Sequence, residues 1–560
     1  MRNLILIIIT IIFTASSCQE DPEMLTLNDL EDMTEYTEYM LIDCSKYKGH
    51  SVSKLMVNYG RHEPTEDLEL SESGYYRLEI SYNKSTSDNP DVIRIVILDE
   101  ERGYAEWGLK KWVPRPATKQ KELEKLTVIH PTIIPEGVNI PVILLAGDTI
   151  NHYPVNSTIT AGDKTVNMKR GVGSFQVNST DANGTKVSIG SIEYTISGTA
   201  VGNNPLLLSD TVKEDLIISE NSLISIPEDL TIDNGVTVTF NQGVFVKIGA
   251  GVNIYNEGKI IVSGTRESPV TMTCSEPDKY WGGILSTGSG NEITATYGIF
   301  NQSGYHDGEG YKWGHAKRQA LFYMNNGTLS VDHCYMTDHI GQIFYPVNSN
   351  ITIDRCIIQR AKTGGQINYC ELEVKSSVFT DFPDDTDQYR DEDNDALYLV
   401  ATNAYINRTS FMYAKDDGLD SGGNEGGEVF VSDCRFEANY HEGAALSSAN
   451  EAIKHHVFTN CVFTNCGQGL ELGFSGPNHM VTVDSCEFLK NNIGIRYGDN
   501  YLFGKAGKIE VSNSYSLDNI DYDVWNMIRS TWEPDVEKMV FNNVVVSKEY
   551  PVYPELIINE

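Results

Sequence analysis

The chain has 560 residues, 78 acidic against 43 basic, for a net charge of −35, and 40% of its residues are apolar. That length calls for two or three domains, and the apolar share is ample for a core. So acidic a surface excludes nucleic acid, whose phosphates need a basic face; it suits the solubility of an exported protein or the binding of cations.

In chain order, Arg2 precedes an apolar run over residues 4–12, too short to span a bilayer as an anchor, and small residues follow up to Cys18. Ala15-Ser16-Ser17-Cys18 resembles a bacterial lipobox, without the usual Leu at its first position. The resemblance implies that residues 1–17 are a lipoprotein signal peptide, cut before Cys18, and that the Cys18 thiol carries the lipid of an outer-membrane anchor. Gln19-Glu20-Asp21 is similar to the surface-export signal of some outer-membrane lipoproteins. An ordinary secretory signal with an incidental Cys is the alternative. Residues 18–31 read as a polar tether. Residues 32–117 alternate apolar and polar positions, as in Tyr75-Tyr76-Arg77-Leu78-Glu79-Ile80, and predict a β-sandwich-like module. Residues 118–204, with Val142-Ile143-Leu144-Leu145 and Val187-Ser188-Ile189, predict a second, immunoglobulin-like β module. Neither holds a catalytic constellation, so both read as spacers.

Residues 205–530 predict a right-handed parallel β-helix and residues 531–560 its C-terminal cap, in an all-β chain. Pro227, Gly235-Val236, Gly243-Val244 and residues 258–265 resemble the opening coils of many such helices. Further on, a layout recurs: a small residue, Phe two positions later, then Gly six or seven after that. Measured at Thr409, Cys434, Cys461 and Cys486 the spacings are 25, 27 and 25. Short strands repeating at that period, without helix signals, must stack as coils, because no single coil buries its own apolar face. The Cys column, with Cys334 and Cys356, predicts stacked buried thiols rather than disulfides. Two polar excursions interrupt the stack, residues 304–318 and 381–395, and long excursions from a rigid scaffold commonly carry function.

Strand side chains alternate faces. Leu419, Ala444, Leu470 and Ile495 therefore point inward, while Tyr398, Asp420, Ala445, Glu471 and Arg496 form one outward column. At the bend before it a second column holds Asp395, Asp417, Glu442 and Gln468, beside Asn394, Asp416 and His441. Neighbouring strands lie about 4.8 Å apart, so Asp395, Asp416, Asp417 and Asp420 fall within reach of one cation, and Ca²⁺ favours such clusters of oxygens. The alternative is a solvated acidic edge. The Asp416-Asp417-x-x-Asp420 spacing resembles the calcium site of the family-nine pectate lyases, with Asp395 or Asp393 as the ligand from the coil before. That resemblance implies β-elimination on a polyuronate. The family's Lys base falls at Ala445 here, and Lys454 would replace it only if its loop folds back. A glycoside hydrolase uses the same face: Asp420 and Glu471, two coils apart at about 9.6 Å, near the upper limit for inverting carboxylate pairs. On that reading His441 and Glu442 lie between them. Arg496 clamps a substrate carboxylate or pairs with Glu471. The expected partner is a polysaccharide, cleaved on this face or, alternatively, only bound by a glycan-binding or adhesin-type surface.

Overall fold

The structure, a computed structural model, describes the backbone of six strands between residues 35 and 110. It also describes residues 123–546, except 124, 149, 151–156, 203, 289, 384–393, 423–425, 449–451, 492, 499–505, 518, 520–521 and 527–537. Cys18, its signal stretch and its tether lie outside these, as do Asp393 and most of the 381–395 excursion.

The chain folds as a right-handed parallel β-helix. Among the described residues its three sheets hold 14, 13 and 13 parallel strands, and every strand pairs with the one three places on. Sheet one opens at Leu206–Leu207, sheet two at Asp210–Val212 and sheet three at Leu216–Ile218. Met539–Asn542 and Val545–Val546 continue sheets three and one, so the coils run past residue 530 into the stretch expected as a cap.

The repeat seen in sequence has a packing reason at each position. Phe436 stacks on Phe463 with ring centroids 4.5 Å apart, and Phe463 on Phe488 at 4.7 Å. The Cys column lies fully inside, and all eight cysteines among the described residues are free thiols. Gly443 sits where coils nearly touch: a Cβ there would lie 2.5 Å from the Gly469 carbonyl. Three residues after Phe436 and after Phe488, buried asparagines tie coils together. Asn439 Oδ1 accepts the Ala414 N–H at 3.1 Å, and Asn491 Oδ1 accepts the Cys466 N–H at 2.9 Å.

Before the helix, strands between residues 35 and 110 form antiparallel sheets of two and four strands. Residues 123–201 form small sheets of four, three and two strands with their own core, which includes Ile140, Val142 and Leu144. The stretch expected as a second spacer is docked on the helix. Ile143, Leu145 and Val172 pack on Tyr335, Ile357 and Val378, outward residues of sheet one. Buried ion pairs fasten the contact: Arg170 Nε lies 2.6 Å from Glu437, which Arg435 also holds, and Lys169 pairs with Asp381. Sheet one is therefore buried on both faces along these coils.

Candidate functional site

The outer face of sheet two carries one ladder from end to end. Strand pairing aligns Tyr255, Leu285, Tyr323 and Tyr345 on successive coils. It continues through Gln366, Tyr398, Asp420 and Ala445 to Glu471, Arg496 and Trp525. The column expected from sequence is thus the later half of a longer one whose earlier half is aromatic.

The 304–318 excursion lies over that aromatic half. Trp313 stacks against Tyr323 at 4.5 Å and Tyr345 at 6.0 Å, and the Tyr311 hydroxyl meets that of Tyr255 at 2.7 Å. His315 donates its backbone N–H to Gln366 Oε1 at 2.9 Å and brings its ring within 4.5 Å of Tyr398. Tyr398 is the immediate neighbour of Asp420. His315 was not among the residues expected at the site; the aromatic and polar composition of its excursion was the only sequence signal for it.

The bend between sheets one and two gathers the acids. Asp395, Asp416, Asp417 and Glu442 are buried there, and Asp420 is half-buried on the strand that follows. Backbone hydrogen bonds hold them in step: Asp395 Oδ1 accepts the Asp417 N–H at 3.3 Å, and Asp417 Oδ1 accepts the Glu442 N–H at 2.9 Å. Two overlapping sets result, Asp395–Asp417–Asp420 and Asp416–Asp417–His441, each with ligand atoms within 4.8 Å of one another. Burial, then the charges of Asp416, Asp420 and Asp417, push the Asp395 carboxyl well above its ordinary value. Burial and Glu442 do the same to Asp417, and burial and Glu471 to Glu442. His441 Nδ1 lies 3.3 Å from Asp416 and 3.6 Å from Asp417, and beside Glu442. Burial alone would lower its pKa, but Asp416, Asp417 and Glu471 outweigh it and raise it to about 9, so His441 carries its proton at neutral pH.

The oxygen-only set fits a hard divalent cation. It offers three carboxylates from two adjacent coils and no thiol, and a dication would offset the burial and mutual repulsion that hold Asp395 and Asp417 above their ordinary pKa. Asp395, Asp417 and Asp420 would hold it, with further positions for water or a substrate carboxylate.

The remaining expected residues divide. Glu471 lies on the same face but is taken up by Arg496, 3.2 Å away, and the Arg496 guanidinium lies 4.9 Å from the Trp525 ring. Of the two sequence alternatives for Arg496, the structure favours pairing: its side chain is 4% exposed. Lys454 does not fold back to the face. It is 1% exposed, and its ammonium donates to the carbonyls of Gly422 at 2.7 Å and Ser447 at 3.1 Å. Burial lowers its pKa to about 8 despite the charge of Asp420. Asp499, next to the end of the row, lies outside the described residues.

No protein-family profile matches the sequence, and no curated protein matches it. Among solved structures, the chain is similar to the periplasmic alginate epimerase AlgG, with a TM-score of 0.44 and 10% identity over 57% of this chain and 77% of that one. It is also similar to the catalytic unit of a thermostable GH87 α-1,3-glucanase from Streptomyces thermodiastaticus strain HF3-3, with a TM-score of 0.33 and 8% identity over 93% and 98% of the two chains. At that distance the chemistry has to be read from the residues of this chain.

Proposed function

We infer that this chain is a polysaccharide-active protein, held at the outer-membrane surface by a lipid on Cys18, which cleaves a glycan along the outer face of sheet two with Ca²⁺ at the Asp417 cluster. The observation that carries the reading is the continuous ladder that runs from aromatic side chains into the acidic bend: Tyr323, Tyr345, Gln366, Tyr398, then Asp420. Aromatic rings offer apolar faces to sugar rings, and fixed carboxylates offer the charges that glycan cleavage uses. A bound Ca²⁺ would supply charge neutralisation next to the scissile sugar.

The chain's own groups favour hydrolysis over elimination. Elimination needs a base for the proton α to a uronate carboxylate, yet Ala445 stands at the base position and Lys454 is held by backbone carbonyls. Hydrolysis needs a proton donor and a carboxylate. His441 holds a proton at neutral pH, and Asp420 is the half-buried carboxylate of the adjacent coil.

Purified glycans are incubated with wild type and with Asp417→Ala, with calcium or with chelator. New reducing ends mark hydrolysis, and an unsaturated product absorbing in the ultraviolet marks elimination. Retention on a glycan column without either product would support the second reading, a binding surface, to which the engagement of Glu471 by Arg496 lends weight. Neither cleavage nor retention for any glycan would sink both.

A further inference from the structure

Among the described residues, the charged groups lining one cavity of this acidic chain are mainly cations. The bend that carries the acidic cluster belongs to a column of bends between sheets one and two. On the coils just before it, these bends line a cavity of about 580 Å³ with the 304–318 excursion. Among the described residues that line it, five are basic, Lys312, Lys317, Arg318, Arg360 and Lys362, against one carboxylate, Asp338. In a chain with 78 acids and 43 bases, such a lining is a local inversion. His339, also in the wall, has its pKa pushed down to about 3 by burial and adds no charge.

Three of these cations are already engaged: Lys312 pairs with Glu309, Arg360 grips both oxygens of Asp338 at 2.7 and 2.8 Å, and Lys362 has a contact of its own. Lys317 and Arg318 differ. Both are exposed, and among the described residues neither has a carboxylate partner. Their backbone is nevertheless fixed. Trp313 and Arg318 close the excursion with a bridge, and the Gln342 side chain donates to the Arg318 carbonyl at 2.7 Å and the Trp313 carbonyl at 3.1 Å. Gly314 is pressed so close to sheet two that a Cβ would lie 2.5 Å from Gln366 Oε1. The two charges are therefore presented by an anchored loop, which lowers the ordering cost of binding.

The cavity adjoins the acidic bend. Asn394 donates to the Lys362 carbonyl at 2.9 Å, and the Gly364 N–H to the Asp395 carbonyl at 3.1 Å, so Lys362 and Asp395 sit on neighbouring coils about 4.8 Å apart. We propose that this cavity is an anion subsite, in which Lys317 and Arg318 take a carboxylate or sulfate of an acidic polysaccharide whose neighbouring sugars extend over the Asp417 cluster. The idea rests on the glycan reading above and narrows it to a polyanion. It also removes an obstacle to that class of substrate. Screening confines charge effects to about 8 Å at physiological salt, so two fixed cations govern their own surroundings despite the net charge of the whole chain.

The test uses the full chain and a matched pair of probes, dextran sulfate and unsulfated dextran of equal length, titrated calorimetrically without calcium. A binding site for the sulfated probe on so acidic a protein has to be a local one. Wild type is expected to bind dextran sulfate, more weakly as salt rises. K317Q/R318Q is expected to bind it about ten-fold or more weakly, with an unchanged melting temperature. Asp417→Asn is expected to keep that binding. Dextran sulfate bound equally by wild type and the double variant, or not bound at all, overturns the proposal. Equal turnover of an uncharged glycan by both overturns it and leaves the cleavage reading standing. Binding that depends on Lys317 and Arg318, with no glycan turned over, upholds the subsite and removes the cleavage reading instead.

Discussion

Asp417→Asn is the most informative perturbation of this molecule, because its effect should change sign with calcium. The replacement removes one negative charge and keeps an oxygen where Asp417 Oδ1 accepts the Glu442 N–H. Asp417 is shared by both clusters, with neighbouring ligand atoms inside 4.8 Å. Two full charges at that separation repel by ~3.5 kcal/mol at an effective dielectric of about 20. Asp395, Asp417 and Glu442 already relieve part of this by holding protons longer than usual. The expected gain in chelator is therefore ~1–3 kcal/mol. Carboxyls raised in the folded chain contribute stability that is full below their unfolded values, 3.8 for Asp, and that is lost as pH rises through the folded values. Cation-free wild type should thus weaken as pH climbs from about 4, and the variant should weaken less. With calcium the order inverts, since a hundredfold excess over Kd stabilises wild type by about 2.7 kcal/mol and the variant hardly at all. Urea unfolding followed by circular dichroism, with chelator and with calcium, reads all of this. A variant less stable than wild type in chelator, or stabilised equally by calcium, would refute the reasoning.

Three further outcomes are expected. His456 and His479 are buried inside the helix with their rings in contact, Nδ1 to Nε2 at 2.9 Å, and burial lowers both, His479 to about 3. Their neutral forms are favoured by folding, so this stability is full above the unfolded value of 6.5 and drains as pH falls toward 3; for His479 the loss is about 2 kcal/mol at pH 5. Melting of His479→Gln against wild type between pH 7 and 4 should show a flatter acid limb. Arg496→Met leaves the Glu471 carboxylate without its guanidinium and should lower stability by ~3–5 kcal/mol; an unchanged melting curve with a raised KM would mean that Arg496 serves substrate instead. Gly443→Ala sets a methyl against the Gly469 carbonyl and should destabilise by ~1–3 kcal/mol, whereas Ala445→Gly on the same strand's outward face should move the melting point far less.

The layout Cys, Phe, Gly carried the coil architecture because each of its members answers to the coil next to it: the thiol and ring fill the stack, and the glycine lets two backbones touch. The buried asparagines three residues past Phe436 and Phe488 alternate with Ala414 and Cys466 on the neighbouring coils, which hides the column from a search for identical residues. Arg496 shows where spacing fails. Its outward register was readable, yet whether an outward cation faces solvent or a neighbouring Glu471 depends on what covers it.

A repeating chain determines its own register, since a period of about 25 residues with strict alternation leaves one way to bury the apolar face. That local rule sets the parallel coils and the outward order Tyr398, Asp420, Ala445, Glu471, Arg496 from spacing alone. Contacts that break the period obey no such rule. The docking of Arg170 onto Glu437, the folding of 304–318 over the tyrosines and the withdrawal of Lys454 into the interior join residues that no fixed spacing relates. Only packing in three dimensions decides them, because their energies come from surfaces that do not exist until the coils have stacked.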